Sequence, residues 1–400
     1  MKALRTSSAE QLSFLLLAFF DGLGHVVRTC RVGEALARRG HKVVVGCGEG
    51  ARAIVGKAGL PFVPVREVSP MPPEGLPPGR SRLAQPAYIR DCLEDELKLI
   101  DDLRPDAVLV DFRVTGSLSA QMRGVPSAWV ANTTFLDFPL SHVWPQVTEG
   151  LESLGVVHAG YRPFGAAVLI PSVAWLEPFR ELPAQVRDWV TASVDEVRFV
   201  GLLPSVHLGT VPGRATARKL VGATNRPLVY VTLGGLAQGL STLSVLCPKL
   251  GGVDADVVVA LGPHLRPEQL PALPGNVRVV GFTGLSATLV RAADVVVHHG
   301  GHTTTVETLS LGTPSLCIYQ QPEQQANARQ LARLGAGKAI ALADVEDCLV
   351  GELSYLVEDK SVKRRCKQLA SLLRGYDGAG EAAAYLETLA GASRAGVAVL

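Results

Sequence analysis

The feature that most constrains this 400-residue chain is an alternation that occurs twice. Short apolar runs rich in β-branched residues are separated by segments with helical spacing. The runs are Phe14–Phe20, Lys42–Val45, Ala107–Val110 and Ser127–Val130, then Leu228–Leu233, Val257–Leu261, Val277–Val280, Val295–Val297 and Ser315–Ile318. Each is apolar on both faces, as strands of a parallel sheet covered by helices are. Val26–Arg39, ended by Gly40, and Gln324–Leu334, closed by Gly335, read as helices with a left-handed terminal glycine. Alternating strands and helices predict an α/β protein of doubly wound sheets.

The repetition of the pattern predicts two such domains, 1–203 and 228–400. The stretch 204–227 is rich in Pro and poor in apolar periodicity, and reads as a linker. The final helix is expected to be able to pack back on the first domain. Leu60–Pro86 carries eight prolines and reads as a long loop. All four tryptophans fall within Trp129–Trp189. They are either core packing or an apolar wall for a bulky ligand, with Trp129, Phe135, Phe138 and Trp144 as candidates.

A net charge of +2 argues against a nucleic-acid partner. Seven scattered cysteines with no CxxC pair argue against a zinc ribbon or a disulfide framework, and suggest a reducing compartment. The apolar run Phe14–Phe20 is far short of the about 20 residues that span a bilayer. No small-residue cleavage site follows it. A cytoplasmic protein without an integral membrane segment is expected.

The densest constellation is Asp294-Val-Val-Val-His-His-Gly-Gly-His-Thr-Thr-Thr-Val-Glu307. A strand runs into His299, then Gly300 and Gly301, and a helix opens near Thr303. Glycines at such a turn let backbone amides approach an anion, and the helix N-terminus adds partial positive charge. Thr303 and Thr304 can cap the helix or donate hydroxyls to a phosphate. Glu307 would repel a phosphate and suits sugar hydroxyls instead. Glu323-Gln324 follows the next strand, at the same edge of the sheet. In the first half, Asp21-Gly-Leu-Gly-His25 follows the first strand, so His25 stands at that sheet's carboxyl edge. It is either part of an anion-binding turn or a base, because imidazole titrates near neutrality. Asp111, at the end of a later strand, is either a loop cap or the carboxylate that orients such a base.

Val279–Gly337 resembles the donor-binding region of GT-B glycosyltransferases of the family 1 type, with MurG-like features. The matching residues are His299, Gly301, Thr304, Glu307, Gly312-Thr313-Pro314 and Glu323-Gln324. The resemblance implies two Rossmann-like domains facing a cleft. It implies that His299 and the amides of Gly300, Gly301, Thr303 and Thr304 hold the diphosphate of a nucleotide sugar. Glu307 would then bind the ribose, Glu323 and Gln324 the donor sugar, and Phe282 with Thr283 the base. Gly235, after Leu228-Val-Tyr-Val-Thr-Leu-Gly, stands near the phosphates in the same pattern. His25 matches the family's general base and Asp111 its supporting carboxylate. Arg28 departs from the family's usual Pro; it could touch a phosphate or pair on the helix surface. His298 and His302 read as structural.

The resemblance implies an inverting, metal-independent glycosyltransferase with no cofactor beyond a UDP- or dTDP-sugar co-substrate. A small, natural-product acceptor and a monomer or homodimer are expected. A nucleotide-sugar hydrolase or epimerase, a MurG-like transferase on a lipid-linked acceptor and a non-catalytic binding protein remain open at this point.

Overall fold

A computed structural model of the chain describes residues 10–20, 23–67, 82, 85–133, 136, 144–156, 161–177, 179–233, 239–262 and 265–396. The first sheet contains β1 (Ser13–Ala18), β2 (Lys42–Cys47), β3 (Phe62–Pro64), β4 (Ala107–Asp111), β5 (Ser127–Val130), β6 (Ala167–Ile170) and β7 (Glu196–Phe199). The second contains β8 (Leu228–Thr232), β9 (Asp256–Ala260), β10 (Val277–Val280), β11 (Val295–His298), β12 (Ser315–Tyr319) and β13 (Gly337–Ala341). Their orders are β3-β2-β1-β4-β5-β6-β7 and β10-β9-β8-β11-β12-β13. Every pairing is parallel. The order reverses between β1 and β4 in one sheet and between β8 and β11 in the other. Doubly wound sheets bind ligands outside the strand ends at such reversals.

The helices are α1 (Leu23–Arg38), α2 (Arg52–Lys57), α3 (Pro86–Leu103), α4 (Gly116–Met122), α5 (Trp144–Ser153), α6 (Ala184–Ser193), α7 (Arg214–Leu220), α8 (Gly239–Lys249), α9 (Ser286–Ala292), α10 (His302–Leu311), α11 (Pro322–Arg333), α12 (Val345–Glu358), α13 (Lys360–Leu373) and α14 (Gly378–Arg394). They cover both faces of each sheet, which is why the central strands are apolar throughout. The fold is thus the expected pair of Rossmann-like domains.

Two expectations change, and the last helix takes a definite place. Residues 62–64 of the Pro-rich stretch form β3, an edge strand paired with β2, where Pro64 breaks no central ladder. Residues 68–81, 83 and 84 of that stretch lie outside the described residues. The stretch 204–227 is not simply a linker. Ala217 and Val221 are buried with β8 and α9, and Arg214 and Arg218 reach Asp294 at 2.8 and 3.2 Å. Its apolar residues are too few to show a period, yet they suffice to seat a seven-residue helix. Finally, α14 returns to the first domain and packs on α1. Ala382, Ala383, Leu386 and Ala390 share one core with Leu36 and Val45. Arg39–Glu387 at 2.7 Å and Arg394–Asp106 at 2.7 Å flank the contact.

Candidate active site

The first wall of the site is built where β1 and β4 lie side by side. Ala18 is in register with Asp111, so the turn into α1 brings His25 over the carboxyl end of β4. His25 Nδ1 lies 2.6 Å from Asp111 Oδ1. Arg28, one turn along α1, meets the same carboxylate through Nε–Oδ2 at 2.5 Å and Nη2–Oδ1 at 2.6 Å. Thr29 adds a hydroxyl at 3.3 Å from Oδ2. Asp111 is fully buried. Burial alone would raise its carboxyl, but Arg28 and His25 outweigh burial and hold it below the ordinary carboxylate value. The carboxylate is therefore ionised. It accepts from Nδ1–H, which leaves Nε2 as the nitrogen with a lone pair.

The His25 ring is also fixed by two phenylalanines. Phe112 lies nearly parallel to it, with centroids 5.6 Å apart and 24° between planes, and Phe19 stands edge-on at 5.6 Å. Phe112 takes a left-handed φ of 52°. That conformation is costly for a bulky residue and is characteristic of functional turns.

The second wall is the turn from β11 into α10. Gly300 has φ 84°, and a Cβ there would sit 2.6 Å from the Gln324 carbonyl oxygen. Glycine is required on both counts. Asn327 Nδ2 donates to the Gly300 carbonyl at 2.9 Å and fixes the turn from α11. Gly301 is the N-cap of α10, and no side chain caps the first turn. Gly301, Thr303 and Thr304 at this helix start line the cleft, an arrangement suited to an anion.

His299 is half-buried at the cavity wall, and the desolvation of its ring pushes its imidazole down to about 4. The ring is neutral, and its Nδ1 has no partner among the described residues. His298 accepts from the Gly300 amide through Nδ1 at 3.1 Å and points Nε2 at Cys317 Sγ, 3.3 Å away. It shapes the turn. Glu307 is buried one turn into α10. Burial raises its carboxyl to about 7, and its Oε1 has no partner among the described residues. An unpaired buried acceptor is costly unless a ligand hydroxyl meets it.

Both walls line one cavity of about 820 Å³. His25 and Arg28 stand on one side; His299, Gly301, Thr303 and Thr304 stand on the other. The N-termini of α1 and α10 meet across it, so closely that a Cβ on Gly24 would lie 2.5 Å from Thr303 Oγ1. Two polar contacts tie the domains beside the cavity. Asn132 Nδ2 donates to Glu323 Oε1 at 3.2 Å, and His302 Nε2 lies 2.7 Å from Glu177 Oε1. Glu177 also accepts from the amide and hydroxyl of Thr133. Burial pushes its carboxyl up, but His302 and these hydrogen bonds together hold it below its ordinary value.

The cavity brings together His25, Phe282, Thr283, His299, Gly301, Thr303, Thr304 and Glu323, with Asp111 directly behind His25. Phe282 is largely exposed there, as a platform for a flat ring would be. Gly300 and Glu307 stand behind the residues that line the cavity, and Gln324 does not line it either. It is buried, and its Oε1 accepts from the Gln320 amide at 2.9 Å, so it shapes the start of α11. The aromatic wall is also corrected. Trp129 is fully buried and Trp144 nearly so; both pack against Phe164 at 4.8 and 6.0 Å within the first domain's core. Phe135, Phe138 and Gly235 lie outside the described residues. Arg28 neither pairs on the helix surface nor faces outward; it is buried on Asp111. Asn132, Glu177 and Phe112 escaped the sequence reading because no local motif marks them. Each matters only through a partner far away in the chain.

Two parallel doubly wound sheets, each with its reversal point open to a shared cleft, define the GT-B glycosyltransferase fold. Residues 244–377 match the family model described as the erythromycin biosynthesis protein CIII-like C-terminal domain. A protein of Methanosarcina acetivorans described as an uncharacterized glycosyltransferase is 26% identical over 96% of this chain and 98% of its own. The glycosyltransferase SnogD from Streptomyces nogalater shares the fold with a TM-score of 0.69 at 24% identity, over 95% of this chain and 100% of that one. The Streptomyces sp. SF2575 glycosyltransferase SsfS6, in complex with thymidine diphosphate, gives 0.67 at 22% identity over 94% and 100%. No helix among the described residues is long and apolar enough to cross a membrane.

Proposed function

We propose that this protein is an inverting glycosyltransferase. It moves a sugar from a dTDP- or UDP-sugar to a hydroxyl of a small, natural-product-type acceptor. One observation carries the reading: the His25–Asp111 pair and the uncapped start of α10 face each other across one cavity. His25 Nε2 takes the acceptor hydroxyl proton, and Asp111 orients the ring and stabilises the imidazolium. The acceptor oxygen bonds to the anomeric carbon as the bond from that carbon to the β-phosphate oxygen breaks. The electron pair leaves with the diphosphate. Its charge is met by the α10 amides, the Thr303 and Thr304 hydroxyls and the neutral His299, so no bound metal is needed for this step. Glu307 accepts from the ribose and Glu323 from the donor sugar, while Phe282 and Thr283 border the base.

The thymidine diphosphate held by SsfS6 supports a nucleoside diphosphate donor, and the erythromycin-type family model supports a natural-product acceptor. The test begins with a thermal-shift screen of dTDP and UDP sugars, followed by transfer assays on an aglycone panel. His25→Ala is expected to lower transfer about 1,000-fold while dTDP affinity stays within about twofold. Retained transfer would overturn the base assignment. Rapid donor hydrolysis or epimerisation with no acceptor present would overturn transfer as the main reaction.

A further inference from the structure

The Asp111 carboxylate is fully buried and ionised, and an ionised group in that position requires a counter-charge. Two side chains could supply it, Arg28 and His25. Arg28 is itself 5% exposed and grips both carboxylate oxygens at 2.5 and 2.6 Å, the two-pronged geometry that guanidinium forms best. Its Nη2 also stands 2.9 Å from His25 Nδ1; with Nδ1–H given to Asp111 both nitrogens are donors, so the contact is a like-sign approach to the ring and not a hydrogen bond. A guanidinium stays charged at every working pH.

We propose that Arg28 is a positioning residue: it is the permanent counter-ion of Asp111, and it thereby keeps the His25 imidazole neutral and able to accept a proton. Without it, His25 would be recruited as the counter-ion and would enter the reaction already protonated. Arg28 also locks the carboxylate so that Oδ1 meets Nδ1, which commits the lone pair to Nε2. The inference rests on the reading of His25 as the base. Among the described residues, the charged groups against the ring are Asp111 from β4 and Arg28 from α1. β1 and the turn after β4 present Phe19 and Phe112, and α10 presents Thr303. Arg31 and Glu34 of α1, Lys57 of α2, His207, His299, Glu323 and His302, the last paired with Glu177, also line the cavity.

The test is an imidazole nitrogen NMR titration of the full-length protein, with His25→Gln to assign the resonance. In the wild type, His25 is expected to be a neutral Nδ1–H tautomer at pH 7. In Arg28→Met, its titration midpoint should move up by about one pH unit or more. Arg28→Lys, which restores a cation, should bring it most of the way back. Asp111→Asn, which leaves the cation alone beside the ring, should move the midpoint down and supplies a second reading if Arg28→Met does not fold. The acid limb of the transfer rate should follow the same order, and kcat in Arg28→Met should fall about 100-fold with dTDP affinity within about twofold. A midpoint in Arg28→Met that is unchanged or lower, or a wild-type imidazolium at pH 7, would overturn the proposal. The titration needs no acceptor, so it decides the role of Arg28 even if His25→Ala retains transfer, an outcome that would overturn only the base assignment.

Discussion

At the scale of single residues, Glu307, which we propose meets the ribose, carries a cost in stability. Its carboxyl is raised to about 7 by burial, from an ordinary 4.5. Between those values the folded state holds a proton that the unfolded chain releases. Stability is therefore greatest below about 4.5, declines as pH rises towards 7 and stays low above it. The full loss is of order 3 kcal/mol. Glu307→Gln should remove this cost. Its unfolding midpoint should match the wild type at pH 4.5 and exceed it increasingly up to pH 8, as denaturant titrations at several pH values can check. Nucleotide affinity should fall about tenfold at the same time, because a carboxamide is a weaker acceptor for ribose hydroxyls. The place of Glu307 one turn into α10 was legible in the sequence because its spacing from His299 is local. Arg28 was visible but not its role, since only folding brings Asp111, on another strand, beneath it. For Trp129 and Trp144 the sequence leaves core and wall both open for a related reason: composition says that aromatic residues cluster, but not which side of a sheet they fill.

At the scale of elements, the central strands announced themselves because both their faces are covered. The edge strand β10 did too, whereas the edge strands β3, β7 and β13 and the buried but short β6 did not. β7, Glu196-Val-Arg-Phe199, carries two charges, and β13, Gly337-Lys-Ala-Ile-Ala341, has only one β-branched residue. Their pairing is decided by neighbours rather than by their own composition. The same applies to α14, whose apolar face has meaning only against α1. Leu386 is fully buried there. Leu386→Ala should cost about 2–5 kcal/mol and should lower the unfolding transition of the first domain, although the residue lies at the far end of the chain. Hydrogen exchange in α1, which should speed up in the variant, distinguishes this from a loss confined to the second domain.

At the scale of the whole molecule, the cleft is drawn closed by a few polar contacts, of which Glu177–His302 is the most buried. Glu177→Ala removes that link and leaves both Thr133 and His302 short of a partner. The nucleotide-free variant should then show a larger radius of gyration by small-angle scattering. The affinity for dTDP should fall by about three- to tenfold, because binding has to draw from a smaller closed population. The return of α14 has a mechanical side as well. The chain passes between the domains twice, once after Gly201 and again before Gly378, and the two passages touch. A Cβ on Gly378 would sit 2.4 Å from the Leu202 carbonyl oxygen, and one on Gly201 would sit 3.0 Å from the Cβ of Tyr376. A single tether would let the halves swing in any direction. Two tethers pressed together at one place act as a pivot, so the jaws can part at the mouth of the cavity while the backbone at their root keeps His25 and the start of α10 in line for the next closing.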